Sequence, residues 1–322
     1  MTDPVPARLR ERHDRVAVVE RLHDVPPNEV YLVEVDGRRA VLKCSTGPRG
    51  DAAVEGRVQR LAARESPLPT PAVLWVGRDA FLAAFDSDAP EEGADSTPEW
   101  CRVAGRGLAR LHSIGFDRHG LLRADGDPAD SAAGLRVDAD GGTWPEAVLA
   151  LLGEFRRSVA DTEYAAVVDE VTEFVRERPD RFVAAGDDEV ESESESEPEP
   201  VLVHGWFSPE HVAVRDGAVR SVVDFEHAMA GAAEYDLWRL AVPTFGLGTE
   251  REDRAAWRRF REAYESVRPP PAGFEARADA VRLVVAVSYL DSLAVQRGVE
   301  DNRDRADAVR EAVHERLAAL RA

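Results

Sequence analysis

The stretch 201–226, VLVHGWFSPEHVAVRDGAVRSVVDFE, constrains the chain more than any other. VLV is an apolar, strand-like run ending on His204 and Gly205. VAV and SVV then flank the turn RDGAV, where Asp-Gly is the strongest short hairpin signal. The return strand ends on Asp224, Phe225 and Glu226. A tight hairpin keeps its ends close, so two clusters of polar, potentially metal-binding residues are brought together. The remaining chain reads as support for that meeting point.

A second constraint comes from composition. Of 41 basic residues every one is arginine except Lys43, in the run RRAVLKC. A general shortage of lysine does not explain why the one that remains sits there. A compact ammonium and a planar guanidinium are not interchangeable where a point charge must meet phosphate in a tight site.

The order of these features is similar to that of the aminoglycoside phosphotransferase and choline kinase family. Its catalytic loop reads HGDxxxxN and its metal-binding acid follows one hairpin later in D-[FWY]-[ED]. This chain has HGWxxxxH and then DFE, so His204, Gly205, Pro209, Asp224, Phe225 and Glu226 match. Trp206 stands where the family has its catalytic aspartate, and His211 where it has a metal-binding asparagine. The resemblance also places Lys43 and Glu55 as the pair that positions nucleotide phosphates, and Asp236 in YDL as a buried support of the loop. It implies ATP and Mg²⁺, with Mn²⁺ also suited if His211 takes part, and a small-molecule acceptor. Asp224, Glu226 and His211 are the expected metal residues. His204 and Trp206 belong to the catalytic loop, with Glu210 as a substitute base if that loop is rearranged.

The expected fold is α+β: a two-lobed, protein-kinase-like arrangement with a small antiparallel β lobe over 1–88 and a larger, mainly helical lobe over 89–322. From Val16 the chain alternates as VAVVERL, VYLVEV and RAVLKC, with Asp36-Gly37 as a hairpin turn. The loop between the first two strands, HDVPPNE, has two prolines and no glycine, where the family has a glycine-containing loop over the phosphates. Residues 51–65 have helical spacing. AVLWVGR and AFLAAF add two strands, the second expected at the sheet edge leading into a hinge at 85–89. Helices are expected over 97–114, with Thr97 as cap, and over 144–157, 164–178, 254–267, 276–296 and 301–322. His112 is read as a packing residue. Residues 123–142 read as an exposed connection, and the acidic run 186–200 as a disordered loop.

The net charge of −20 repels nucleic acid and anionic membrane, and fits adaptation to high salt. Two cysteines make no framework, and no apolar run approaches the roughly 20 residues of a membrane span, so a cytoplasmic protein is expected. Three functions follow. One is an ATP-dependent kinase for a small-molecule hydroxyl, with catalysis impaired or modified at Trp206. Another is a catalytically inactive, pseudokinase-like nucleotide-binding or regulatory protein. The third is a metallohydrolase built on His204, His211, Asp224 and His227.

Overall fold

In a computed structural model the chain is described at residues 5, 7–47, 49–127, 130, 132–138, 142–183, 197–296 and 298–322. After a short helix α1 (Ala7–Arg10), the strands β1 (Val16–Val25), β2 (Asn28–Val35) and β3 (Arg38–Ser45) form an antiparallel meander. Asp36 and Gly37 take φ of 49° and 80°, the two positive values that a tight hairpin turn requires. The HDVPPNE segment is shorter than a loop: β1 runs on to Val25, β2 begins at Asn28, and only the two prolines turn. Pro27 O then accepts from Thr46 N at 2.9 Å, tying this turn to the chain beyond β3.

Helix α2 (Ala52–Glu65) starts from Asp51, whose side chain accepts from Val54 N. Such a cap stabilises a helix by about 1 kcal/mol. Strands β4 (Val73–Val76) and β5 (Ala80–Ala84) complete a five-stranded sheet in the order β1-β2-β3-β5-β4. The edge is therefore β4 and not β5, against the sequence expectation. The reason is in AFLAA, which has no polar residue to face water and buries almost its whole length between β3 and β4.

Beyond residues 85–97 lies the helical part: α3 (Pro98–Leu111), α4 (Trp144–Ser158), α5 (Ala165–Glu177), α6 (Ala233–Ala241), α7 (Arg254–Glu265), α8 (Phe274–Gln296) and α9 (Arg303–Arg321). The stretch read as an exposed connection contains β6 (Gly120–Asp125) and β7 (Gly134–Val137), which pair with each other. Strand β8 (Pro200–Val203) is held by β11 (Met229–Ala232), which also pairs with β6. The hairpin β9 (Val212–Arg215) and β10 (Ala218–Val222) turns on Asp216 and Gly217, at φ of 52° and 71°. Residues 186–196 of the acidic run lie outside the described residues. Its end is anchored: Glu197 accepts from Trp144 N, and Glu199 pairs with Arg268.

A single apolar core joins α3 to α9 with β8 to β11 and is capped by buried aromatics such as Trp144, Phe207 and Phe225. Within it Arg277 on α8 makes a two-pronged pair with Glu234 on α6, at 2.8 and 2.7 Å. No helix among the described residues is long and apolar enough to cross a membrane.

Candidate active site

The loop after β8 is held from below by one buried carboxylate. Asp236, on the first turn of α6, accepts from His204 N at 2.7 Å and Gly205 N at 2.6 Å. His112 Nε2 donates to the same group at 3.1 Å, and the His112 Nδ1 meets the Tyr264 hydroxyl at 2.9 Å. Burial raises the Asp236 pKa, but the His112 hydrogen bond and charge outweigh it, so the carboxylate stays below its ordinary range. His112 thus packs as expected and also carries a polar chain from α7 to the loop.

His204 is part of this support. Trp206 N donates to His204 Nδ1 at 3.2 Å, which leaves Nε2–H to donate to Val223 O at 3.0 Å. Both nitrogens are spent on backbone, and burial pushes the imidazole pKa down to about 4. Its role is to pin the loop to the residue before Asp224. Gly205 has φ of 84°, and a Cβ there would come within 2.5 Å of the His227 Cβ, so only glycine fits.

Above the loop, Lys43 on β3 lies at the centre of three carboxylates. Its Nζ is 2.8 Å from Glu55 Oε2 on α2, 2.6 Å from Asp224 Oδ1 and 3.2 Å from Glu226 Oε2. Burial works against the ammonium, but the charges of Asp224, Glu226 and Glu55 hold its pKa well above the ordinary value. Burial likewise opposes the Asp224 carboxylate, and Lys43 and His211 outweigh it, so Asp224 stays well below the usual range. Glu55 differs. Its burial exceeds what Lys43 returns, and its pKa is pushed up to about 8. Glu55 is thus the carboxylate of the three that holds its charge least readily.

Asp224 has φ of 65°, a left-handed conformation that a non-glycine residue adopts at some strain and that clusters at functional sites. His211 Nδ1 lies 2.8 Å from Trp206 O and Nε2 lies 3.1 Å from Asp224 Oδ2. Both neighbours are acceptors, so an imidazolium donating twice satisfies them and a neutral ring does not. The pKa follows: burial lowers it, Asp224 raises it more, and the net shift is upward. Glu226 also accepts from Asn28 Nδ2 at 2.6 Å, a link from β2 that carries no signal in the sequence.

Among the described residues, the group able to hold a metal ion is Glu55, Asp224 and Glu226, whose ligand oxygens all lie within 4.8 Å of one another. An all-carboxylate donor set suits a hard cation such as Mg²⁺. The histidines do not form a metallohydrolase centre with Asp224, because His204 is turned to backbone on both sides and His211 is committed to Trp206 O and Asp224. Glu210 is exposed and accepts from Gly93 N at 3.3 Å, away from the carboxylate cluster. Trp206 is half-buried between Tyr289, 6.3 Å centre to centre, and the Arg239 guanidinium, 5.1 Å above its ring.

A small antiparallel sheet with one helix, a helical part, and a lysine that joins a helix glutamate to the acid after a hairpin define a kinase-like phosphotransferase fold. The chain belongs to the phosphotransferase enzyme family (APH), whose model matches residues 21–274. Among solved structures it is similar to a provisional fructosamine-3-kinase from Thermobifida fusca, at 23% identity over 98% of each chain and a TM-score of 0.61. It is also similar to aminoglycoside phosphotransferase APH(4)-Ia in complex with ADP and hygromycin B, at 16% identity over 98% of each chain and a TM-score of 0.60. The macrolide 2'-phosphotransferase MphH of Brachybacterium faecium aligns at 18% identity over 92% of each chain, with a TM-score of 0.54. At these identities the likeness is one of fold. Among curated proteins nothing matches the sequence.

Proposed function

We propose that the chain transfers the terminal phosphoryl group of ATP to a hydroxyl of a small molecule, using a catalytic loop that lacks the family's carboxylate. The observation that carries this reading is the lone lysine of the chain, bonded at once to Glu55 and Asp224. That ADP is bound by a structure of similar fold supports it. In this reading the cleft lies between lobes 1–88 and 89–322, in a cytoplasmic protein. Lys43, oriented by Glu55, neutralises the phosphates. Asp224 and Glu226 hold Mg²⁺, with His211 steadying Asp224, and the bound cation supplies positive charge to the phosphate oxygens.

The acceptor oxygen bonds to the terminal phosphorus while the bridging bond to ADP breaks. The hydroxyl proton leaves to solvent, because the Trp206 indole cannot accept it. In such a loose transition state, positioning and charge neutralisation do most of the work. A missing general base costs about 10²–10⁴-fold, which slows the reaction without abolishing it. Glu210 takes no part in this reading: its carboxylate accepts from Gly93 N at 3.3 Å, and its use as a base would need the loop rearranged.

A second reading, a nucleotide-binding protein without transfer, is favoured by one observation: Trp206 is packed in place between Tyr289 and Arg239. Calorimetric titration of ATP with Mg²⁺, and separately with Mn²⁺, into the protein in molar potassium chloride tests the shared premise. Metal-dependent binding that disappears in Lys43→Ala is expected. Binding in neither metal would remove both readings, and ADP release that depends on an acceptor would separate them.

A further inference from the structure

One wall of the site carries an arginine, Arg239, that no carboxylate pairs among the described residues. A cavity of about 340 Å³ opens beside Glu55 and Glu226 and runs to α4 and α6. Arg239 on α6 lines it, with only 3% of the residue exposed. Its Nη1 donates to the Tyr235 hydroxyl at 2.8 Å, but Nε and Nη2 have no acceptor. On the facing wall Arg49 reaches Glu154 and Asp291, each at 2.9 Å, and its Nε also lacks an acceptor. Glu154 is shared among Arg49, Arg123 and Arg157, which spends its charge on the wall itself.

Leaving buried donors without acceptors is unfavourable, and more so where the group is charged. The aromatic contacts of Arg239 do not answer this. The rings of Trp206 and Tyr235, centred 5.1 and 5.8 Å from the guanidinium carbon, give Nε and Nη2 no acceptor. A planar fork of donors matches the two oxygens of a carboxylate or a phosphate. The volume is near the small end of ligand pockets, which span about 300–1,000 Å³.

We infer that this cavity is an anion site that takes the carboxylate or phosphate group of the phosphoryl acceptor, which makes the acceptor a small anionic hydroxy compound. The assignment to an acceptor rests on the phosphotransferase reading, because the cavity is reached past Glu226. The anion site itself rests only on Arg239 and Arg49.

The test has a binding arm and a turnover arm. Malonate and inorganic phosphate, as carboxylate and phosphate probes, are titrated into wild type, Arg239→Lys and Arg239→Gln, with and without saturating ADP. ADP release is then compared with glycerate and glycerol 3-phosphate against neutral glycerol and cationic kanamycin. Arg239→Gln is expected to weaken the preferred anion roughly ten- to a hundredfold. Arg239→Lys should restore part of the loss, and the preferred probe should still bind when ADP is saturating, which separates this site from the nucleotide phosphates. The preferred probe decides between carboxylate and phosphate. Equal anion affinity in wild type and Arg239→Gln, with only a lowered Tm, would reduce Arg239 to a prop for Trp206 and overturn the proposal. Fastest turnover with glycerol or kanamycin would overturn it too. Anion binding that depends on Arg239, with no ADP released from any acceptor, upholds the anion site and removes only the phosphotransferase reading.

Discussion

The support beneath the catalytic loop and the cluster above it are built on opposite principles. Beneath, Asp236, His112, His204 and Tyr264 satisfy one another. The single carboxylate accepts from two backbone N–H groups and one imidazole, and His204 spends both its nitrogens on backbone. Above, the Lys43 ammonium and the His211 imidazolium meet three carboxylates whose oxygens converge within 4.8 Å of one another. A satisfied network holds one geometry. An unsatisfied one with converging oxygens is shaped for something that comes and goes. The backbone of Trp206 joins the two, through His204 Nδ1 and His211 Nδ1, while its indole lies apart, between Tyr289 and Arg239.

The largest effect expected from breaking this contrast comes from below. Asp236→Ala leaves the N–H groups of His204 and Gly205 and the His112 ring without their acceptor inside the core. Removing one partner of such a buried charged network costs about 3–5 kcal/mol. Thermal unfolding should therefore show a Tm lowered by about 10 °C. Asp236→Asn, which keeps one acceptor oxygen, should lose less. A Tm unchanged in Asp236→Ala would mean that the loop is held by something other than this carboxylate.

Next in size is the attempt to restore the family pattern. Trp206→Asp puts a carboxylate where the acceptor hydroxyl would stand, and should raise acceptor-dependent ADP release by roughly tenfold or more, within the range of general base catalysis. The gain falls short of the full range because Arg239, now above the indole, would also attract the new carboxylate. Slower turnover in this variant would show that the loop works through the indole itself.

Much of the framework was legible because its signals are local. Asp36-Gly37 and Asp216-Gly217 announce their hairpins through positive φ, which Asp and Gly tolerate, and both turns form. Thr97 followed by Pro98 announces the start of α3. What stayed hidden depends on partners far along the chain. Strand β6 is tied to β11 at Gly120 and Leu121, and its part within the Asp- and Gly-rich 123–142 pairs with β7, whose four residues are too few to announce a strand. Asn28 and Glu226 are 198 residues apart. Lys43 was conspicuous as the one lysine and the resemblance paired it with Glu55, but its direct bonds to Asp224 and Glu226, at the end of a distant hairpin, carried no signal. Arg239 looked like any of forty arginines, and only the fold leaves two of its donors without acceptors beside a cavity.

The smallest expected effect distinguishes the two regions by the sign of their response to pH. His204 and His119 each have a pKa lowered to about 4 by burial, against 6.5 for the free side chain. The unfolded chain therefore binds more protons between those values. The stability these groups contribute is complete above pH 6.5 and is lost as the pH falls toward 4. Glu55 runs the other way, with a pKa raised by burial from 4.5 to about 8. The folded chain binds the extra proton, so its contribution is complete below pH 4.5 and is lost as the pH rises through 8. The support should fail in acid and the cluster in base. Melting curves at fixed salt should show a Tm that declines by a few degrees on each side. His119→Gln, which removes a ring whose Nε2 holds Pro198 O at 2.7 Å just ahead of β8, should flatten the acid limb and leave the alkaline one. Glu55→Gln should flatten only the alkaline limb. If both limbs follow the same variant, the two regions titrate as one network, and the division between a neutral support and a charge-hungry cluster is wrong.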